Sequence, residues 1–415
     1  MAVYTPVADA ADIAAVQDVL KEVYVSDDLE SQMYEDTILL DWIEDVTEYT
    51  DSNGLKASVP MRTGRSGGIS ARAIGEELGV ADHQKVGKVS YQYTNQYLQV
   101  KVEGPVVARM KHDRASCVRE IDFEISNGLE DLQRDWTRQL YGTGDGVVVS
   151  GLAAAGASAT IAIPAAQQYV LERGWLYEGQ KVDIGTDANP VLDTGGNKVI
   201  GVDDVAGTIT LANATAVTAA SKISLYGNRN ADGDQRELNG FGNMFSDSVA
   251  LGDKDPATSK YWKAIVEDNG GAGRALSVDL LMTVIRKLRQ KGKYPDRAVC
   301  DLIQEQKYYQ LLQPQVRFAG DAKLAAGDTS GLVLGKIKSG LVGDPDCPPG
   351  KVHIFHGKAV QMYSAGPVAW QNQTTGGDIL AWSQGYDAFV ARAAKYFQVG
   401  SNRRASLAVL GDLNS

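Results

Sequence analysis

The sequence predicts an α+β protein built around one long helix. Three observations carry that expectation. Apolar residues recur at helical spacing through 113–141, strand-like segments flank that stretch, and residues 147–236 are β-rich and punctuated by Gly, Asp, Asn and Pro.

Length and composition bound the rest. A chain of 415 residues that is 44% hydrophobic and 22% charged can bury a sizeable core in two or three domains. Eighteen consecutive apolar residues occur nowhere, so no transmembrane helix is expected. The N-terminus has no basic region before an apolar run, so no signal peptide is expected either. Cys117, Cys300 and Cys347 are few, odd in number and far apart, which excludes a disulfide framework and fits folding in reducing cytosol. The net charge of −11 is unevenly placed. Residues 1–51 carry fourteen Asp or Glu against Lys21 alone, a net −13, and the remainder sums to +2. The acidity therefore belongs to one arm, either a solvated face or a segment that docks on a basic partner. A general nucleic-acid binder would instead carry a basic face.

Taken in order, residues 9–24 and 29–43 show helical spacing, with Ser26, Asp27 and Asp28 as caps for the second helix. Residues 52–88 carry six bases and three acids, with strand-like flanks around Thr63-Gly64-Arg65-Ser66-Gly67-Gly68, the pattern of an extended hairpin. Strands follow over 89–107. In 113–141 the apolar positions Val118, Ile121, Ile125, Leu129, Leu132, Trp136 and Leu140 average about 3.67 residues apart. Asp113 would cap this helix and Gly142, Gly144 and Gly146 would end it. Short strands are expected at Ala159–Ile163, Lys181–Ile184, Lys198–Val202, Thr208–Leu211 and Lys222–Tyr226, forming an all-β insertion. A helix capped by Ser277 covers 277–291, before a strand at Arg297–Cys300 and a helix near Gln304–Leu312. The turn 343–350 leads into strands Lys351–Phe355 and Ala359–Tyr363, and strands at 385–399 and 404–410 close the chain.

No constellation of catalytic residues stands out. His353 and His356 are three apart on an expected strand, where such residues point to opposite sides and cannot share a metal. Asn228, Asn230, Asp232 and Gly233 imitate the start of a calcium loop, but the twelfth position is Asn239 where a bidentate Glu is needed. The glycines at 142–146 follow a helix instead of opening one and lack the Lys-Ser/Thr of a phosphate loop. No Gly-x-Ser-x-Gly elbow is present, and no cysteine has a His at motif spacing. Neither an enzyme nor a cofactor is expected.

The order of these parts resembles the major capsid proteins of tailed bacteriophages, with the Hong Kong ninety-seven-type fold. The resemblance is carried by the stretch Val118-Arg119-Glu120-Ile121 through Asp135-Trp136-Thr137-Arg138 to the glycine exit at 142–146. It is carried also by Gly343-Asp344-Pro345-Asp346-Cys347-Pro348-Pro349-Gly350 before a strand, and by the closing stretch Gly385-Tyr386-Asp387 to Asn402-Arg403-Arg404. The resemblance implies an acidic N-terminal arm over 1–51, an E-loop hairpin over 52–88, and a peripheral domain with the spine helix over 89–146. The inserted β domain would be 147–236, with further peripheral sequence at 237–275, an axial domain at 276–365 and peripheral closing strands at 366–415. It implies a shell protein that assembles in the host bacterial cytoplasm into pentamers and hexamers of the virion capsid, around double-stranded DNA bound without sequence specificity. A separate scaffolding protein, a portal and, optionally, a decoration protein would be partners; a membrane would not. Arg62, Arg65, Lys85 and Lys88 on the hairpin are the expected contacts between subunits, and the stripe from Val118 to Leu140 is the expected spine core. Some family members crosslink through a Lys and an Asn. Lys56, Lys85, Lys88, Asn372 and Asn402 are the residues to consider, without a motif to pair them. The insertion departs from the minimal fold. A cellular nanocompartment shell, a surface-layer or adhesion protein, and an enzyme remain the alternatives.

Overall fold

A computed structural model describes residues 38–50, 54–76, 80, 82–104, 114–190, 195–229, 236–312, 337, 340–371, 380–383 and 385–414. The helix expected at 9–24, most of that at 29–43, the Asp113 cap, most of the calcium-loop imitation and Asn372 lie outside these residues. The chain divides into two compact units. Of the described residues, one unit takes in those within Leu98–Arg134 and Trp370–Ala393, and the other those within Ile38–Tyr97, Asp135–Ala369 and Ala394–Ser415.

The larger unit begins with α1 (Ile38–Trp42) and β1 (Glu44–Val46), a strand the sequence pattern did not announce. Next come β2 (Lys56–Gly64) and β3 (Lys85–Gln92), which pair antiparallel from Lys56↔Gln92 to Gly64↔Lys85. Alternation seats the base of this ribbon: Ala57, Val59, Val89 and Tyr91 are buried, and beyond Pro60 the ribbon is mostly exposed. From there β4 (Thr94–Glu103) and α2 (Arg114–Tyr141) each place residues in both units. At 28 residues α2 is roughly 42 Å long.

The stretch after α2 forms one sheet with a core of its own. It contains β5 (Val147–Val149), β6 (Ala155–Ala162), the short helix α3 (Tyr169–Glu172), β7 (Lys181–Gly185), β8 (Asn197–Asp203), β9 (Thr208–Val217) and β10 (Lys222–Leu225). The order is β5-β10-β7-β8-β9-β6, around buried Val149, Leu152, Val170, Val182, Ile184, Val199, Ile209, Leu211 and Ile223. The five expected strands are present, with β5 added. The expectation of an all-β insertion needs correction, because a 3-10 turn at Ala165–Gln167 and α3 sit between β6 and β7. Val170 and Leu171 of that helical turn are both buried in the core of the sheet.

After α4 (Phe241–Met244) comes a second sheet, made of β11 (Ile265–Glu267), β12 (Arg297–Cys300), β13 (Val342–Gly343), β14 (Val352–Phe355) and β19 (Leu407–Leu410) in the order β11-β19-β14-β12-β13. Two helices accompany it, α5 (Val278–Gln290) and α6 (Leu302–Leu312). Ser277 caps α5 as expected, its hydroxyl accepting from the Leu280 N–H. The α5 face Leu281, Val284, Ile285 and Leu288 packs with Ala298, Ile354, Ala408 and Leu410. The expected limits of 276–365 do not hold for this sheet. It recruits β11 and β19 from outside them, while β15 (Val360–Ser364) pairs instead with β1 and with the end of β18 (Ala388–Ser401). Pairing central β14 on both sides, Val352 with Leu410 and Val352 with Cys300, requires strands far apart in sequence, which local patterning cannot show.

After the two-residue strand β16 (Ala369–Trp370), β17 (Leu380–Trp382) of the smaller unit pairs antiparallel with Phe389–Ala391 of β18, and Trp382 meets Phe389 edge to face at 5.2 Å. Gly128 of α2 allows the helix to approach Leu98 and Val100 of β4; a Cβ there would sit 3.2 Å from Leu98.

Candidate assembly surfaces

The ribbon β2–β3 places all four expected contact residues, Arg62, Arg65, Lys85 and Lys88, on exposed positions. Its tip is ordered locally by Asp82, whose carboxylate accepts from the Gly67 and His83 N–H groups at 2.7 and 2.8 Å. Those two hydrogen bonds, with Lys85 nearby, hold the carboxyl below its usual range. The sequence reading missed the apolar part of this projection. Ile69, Ile74, Val80 and Val86 are large, exposed and on the same arm. Their scattered spacing, without period two, hid them as a group. The ribbon's base is held by Tyr91, which stacks on Tyr363 at 5.4 Å and donates its hydroxyl proton to the Ser401 carbonyl at 2.7 Å. Burial pushes that phenol up, well away from ionisation. Gly400 is required beneath it, since a Cβ would lie 2.5 Å from the ring.

The stripe on α2 is only partly what periodicity implied. Leu132, Trp136 and Leu140 are buried, Ile125 and Leu129 are half-buried, and the side chains of Val118 and Ile121 lie outside the described residues. The last turns depart from a single stripe: every residue from Trp136 to Tyr141 is buried, including Thr137, Arg138 and Gln139. Polar pairing makes that tolerable. Arg138 donates to Asp135 at 2.8 Å and to both oxygens of Glu237 at 2.6 and 3.3 Å. Burial opposes its charge, but Asp135 and Glu237 more than offset that and hold the guanidinium ionised. Gln139 exchanges hydrogen bonds with Gln96 and accepts the Leu238 N–H at 3.0 Å. The glycine exit fits the backbone: Gly144 and Gly146 have φ of 78° and 77°, and Gly240 passes so close that a Cβ would lie 2.3 Å from the Gly142 carbonyl oxygen.

The sheet of β5–β10 has its own core but is not loosely tethered. Arg173, just after α3, donates to the Cys347 carbonyl at 2.8 Å, faces Asp301 at 3.5 Å and stacks over Tyr169 at 4.6 Å. Trp175 donates its indole proton to Asp346 at 3.0 Å. The turn Gly343–Gly350, picked out in the sequence as a turn before a strand, is thus a docking point. Tyr141 adds a hydrogen bond to Asp344 at 2.7 Å.

The remaining candidates find structural roles. His353 is buried between Phe245, Phe241 and Tyr141 at 4.8, 5.2 and 6.2 Å, and burial lowers its pKa to about 3. His356 lies 3.1 Å from Asp296. No cluster of metal-binding side chains occurs among the described residues. Asn228 donates to Glu237 at 2.7 Å, and the Asn239 N–H donates to Gln398. Cys300 and Cys347 are buried free thiols, and burial pushes both up. Asn402 donates to the Lys358 carbonyl at 2.9 Å, a loop contact. No helix among the described residues is long and apolar enough to cross a membrane.

No protein-family model matches the sequence. None of the curated proteins matches it. Among solved structures, the capsid asymmetric unit of cyanophage A-1(L) matches with a TM-score of 0.53 and 14% identity, over 94% of this chain and 96% of that chain. The capsid of a native GTA particle matches at 11% identity and a TM-score of 0.45 over 100% of both chains. A chain from Mycobacterium phage Bobi matches at 10% identity and 0.45, over 97% and 98%. The first of these matches carries the assignment: the chain has the Hong Kong ninety-seven-type capsid fold of tailed phages.

Proposed function

We propose that this chain is the major capsid protein of a tailed phage, a structural protein that closes by self-association into an icosahedral shell around double-stranded DNA. The observation that carries the reading is the fold match to a phage capsid structure along nearly the whole of both chains. One chain that builds both pentamers and hexamers needs closed rings plus adaptable contacts between them. The ribbon suits the adaptable role. It carries exposed Ile69, Ile74, Val80 and Val86 on the same arm as exposed Arg62, Arg65, Lys85 and Lys88, apolar and cationic side chains that a neighbouring copy could cover. In this reading α2 is the spine, β2–β3 the E-loop, the α5–α6 sheet the axial domain, and the β5–β10 sheet an accessory domain added to a shell subunit. Scaffolding protein, portal and any decoration protein are separate partners.

Electron microscopy of the purified full chain tests the proposal. Closed shells or five- and six-membered rings are the expected result. Flat sheets would favour a surface-layer protein, and small particles that never associate would overturn the shell reading.

A further inference from the structure

A cationic patch at the C-terminal end of α5 has no part in the contacts described so far. Arg286 and Arg289 are exposed on the last turns of α5, and Lys291 and Lys293 are exposed in the loop that follows. The Arg403 guanidinium donates to the Lys291 carbonyl at 2.6 Å, which brings that charge to the same loop. Asn402, next to it, donates to the Lys358 carbonyl, so the backbone of exposed Lys358 runs beside the Arg403 segment and its long side chain can reach the same partner. None of these six cations forms an ion pair among the described residues. The carboxylate of this stretch, Asp296, already accepts from the Gly357 N–H at 2.6 Å and faces His356. Cations crowded this way repel one another and attract an anionic partner.

The chain itself carries such a partner. Residues 1–37 contain nine Asp or Glu and one Lys, a net −8, whereas the sequence beyond residue 51 sums to +2. We propose that the α5 patch receives the acidic segment 1–37 of a neighbouring copy. The inference rests on the shell reading, since it needs copies side by side. In an assembly each copy supplies one patch and one segment, so the charges match one to one. A nucleic-acid duplex would instead meet a chain whose net charge is −11. Exposed pairs of this kind contribute little singly, but together they set register between subunits and select against wrong pairings.

The test uses full-length protein made in isotopically heavy and light forms, mixed before assembly and treated with a carbodiimide, which joins a lysine to a carboxylate in contact with it. The expected result is heavy–light peptide pairs linking Lys291, Lys293 or Lys358 to carboxylates of residues 1–37. Their yield should fall about five-fold or more in 1 M salt, where the screening length is only about 3 Å. Lys291→Glu with Lys293→Glu should abolish them, and adding Asp27→Lys with Asp28→Lys should restore assembly. Those positions on the patch are exposed, so melting of the variant subunits should be unchanged. Links confined to single copies, patch lysines joined to other segments, or protection of the patch only by added duplex DNA would each overturn the proposal. Microscopy of the same samples separates the two readings. Shells without these links defeat the docking alone, and absence of any association defeats the shell reading and the docking together.

Discussion

Replacing Trp136 by Ala measures whether the end of α2 is packed as the structure describes. Trp136 is only 4% exposed, meets Phe397 edge to face at 4.9 Å, and has Lys395 5.6 Å above its ring. Truncating a buried Trp typically costs about 3–5 kcal/mol. Two features of this site adjust that figure in opposite directions. Loss of the edge-to-face pair adds about 1 kcal/mol. The indole N–H, however, is buried without an acceptor among the described residues, and removing it recovers about 1 kcal/mol or more. The two adjustments nearly cancel, so the net expectation stays at about 3–5 kcal/mol, read as the midpoint and slope of guanidinium unfolding of the unassembled subunit. Trp136→Phe keeps a ring and discards the orphan donor, so it should cost about 1 kcal/mol or less. An Ala variant within about 0.5 kcal/mol of the parent would refute the packing of these turns. A Phe variant as damaging as Ala would show that the indole proton has a partner.

Three further outcomes follow from the same contacts. His353 is neutral in the fold because burial holds its pKa at about 3, below its value of 6.5 in an unfolded chain. Its contribution is therefore complete above pH 6.5 and declines as pH falls toward 3, with about 2 kcal/mol lost by pH 5; His353→Phe should flatten the dependence of the unfolding midpoint over that window, and an unchanged slope would contradict the buried neutral ring. Arg173→Met strands buried Asp301 and the Cys347 carbonyl, so it should cost about 3 kcal/mol or more and open residues 147–229 to limited proteolysis, whereas an unaltered digest would mean the β5–β10 sheet is held by other contacts. Arg62→Glu combined with Arg65→Glu should leave subunit melting unchanged and reduce shell yield, and normal shells would remove those residues from the interface.

Much of the fold was legible because it is local. The α5 cap, the α2 period and its glycine exit, and the strands at 181–184 and 297–300 all follow from side chains acting on their own stretch of backbone. The short strands between residues 155 and 225 are readable for the same reason, since turn residues close each of them. The exposed basic ribbon was also legible, because a Gly-rich tip between strand-like flanks has few ways to fold.

Other features needed the tertiary structure. Arg138 and Gln139 look like solvent-facing residues of an amphipathic helix, and only Glu237, Gln96 and the close passage of Gly240 explain their burial. Arg173 and Trp175 gain their role from the turn at 344–347, more than 160 residues away. Sheet membership of β11, β19 and β15 was hidden because a strand's pattern reports which face is buried and not which strand lies beside it. Composition alone decided the excess of negative charge in residues 1–51. The approach of the Lys291, Lys358 and Arg403 segments was decided by tertiary contacts, because side chains of Asn402 and Arg403 donate to backbone carbonyls far away in the sequence.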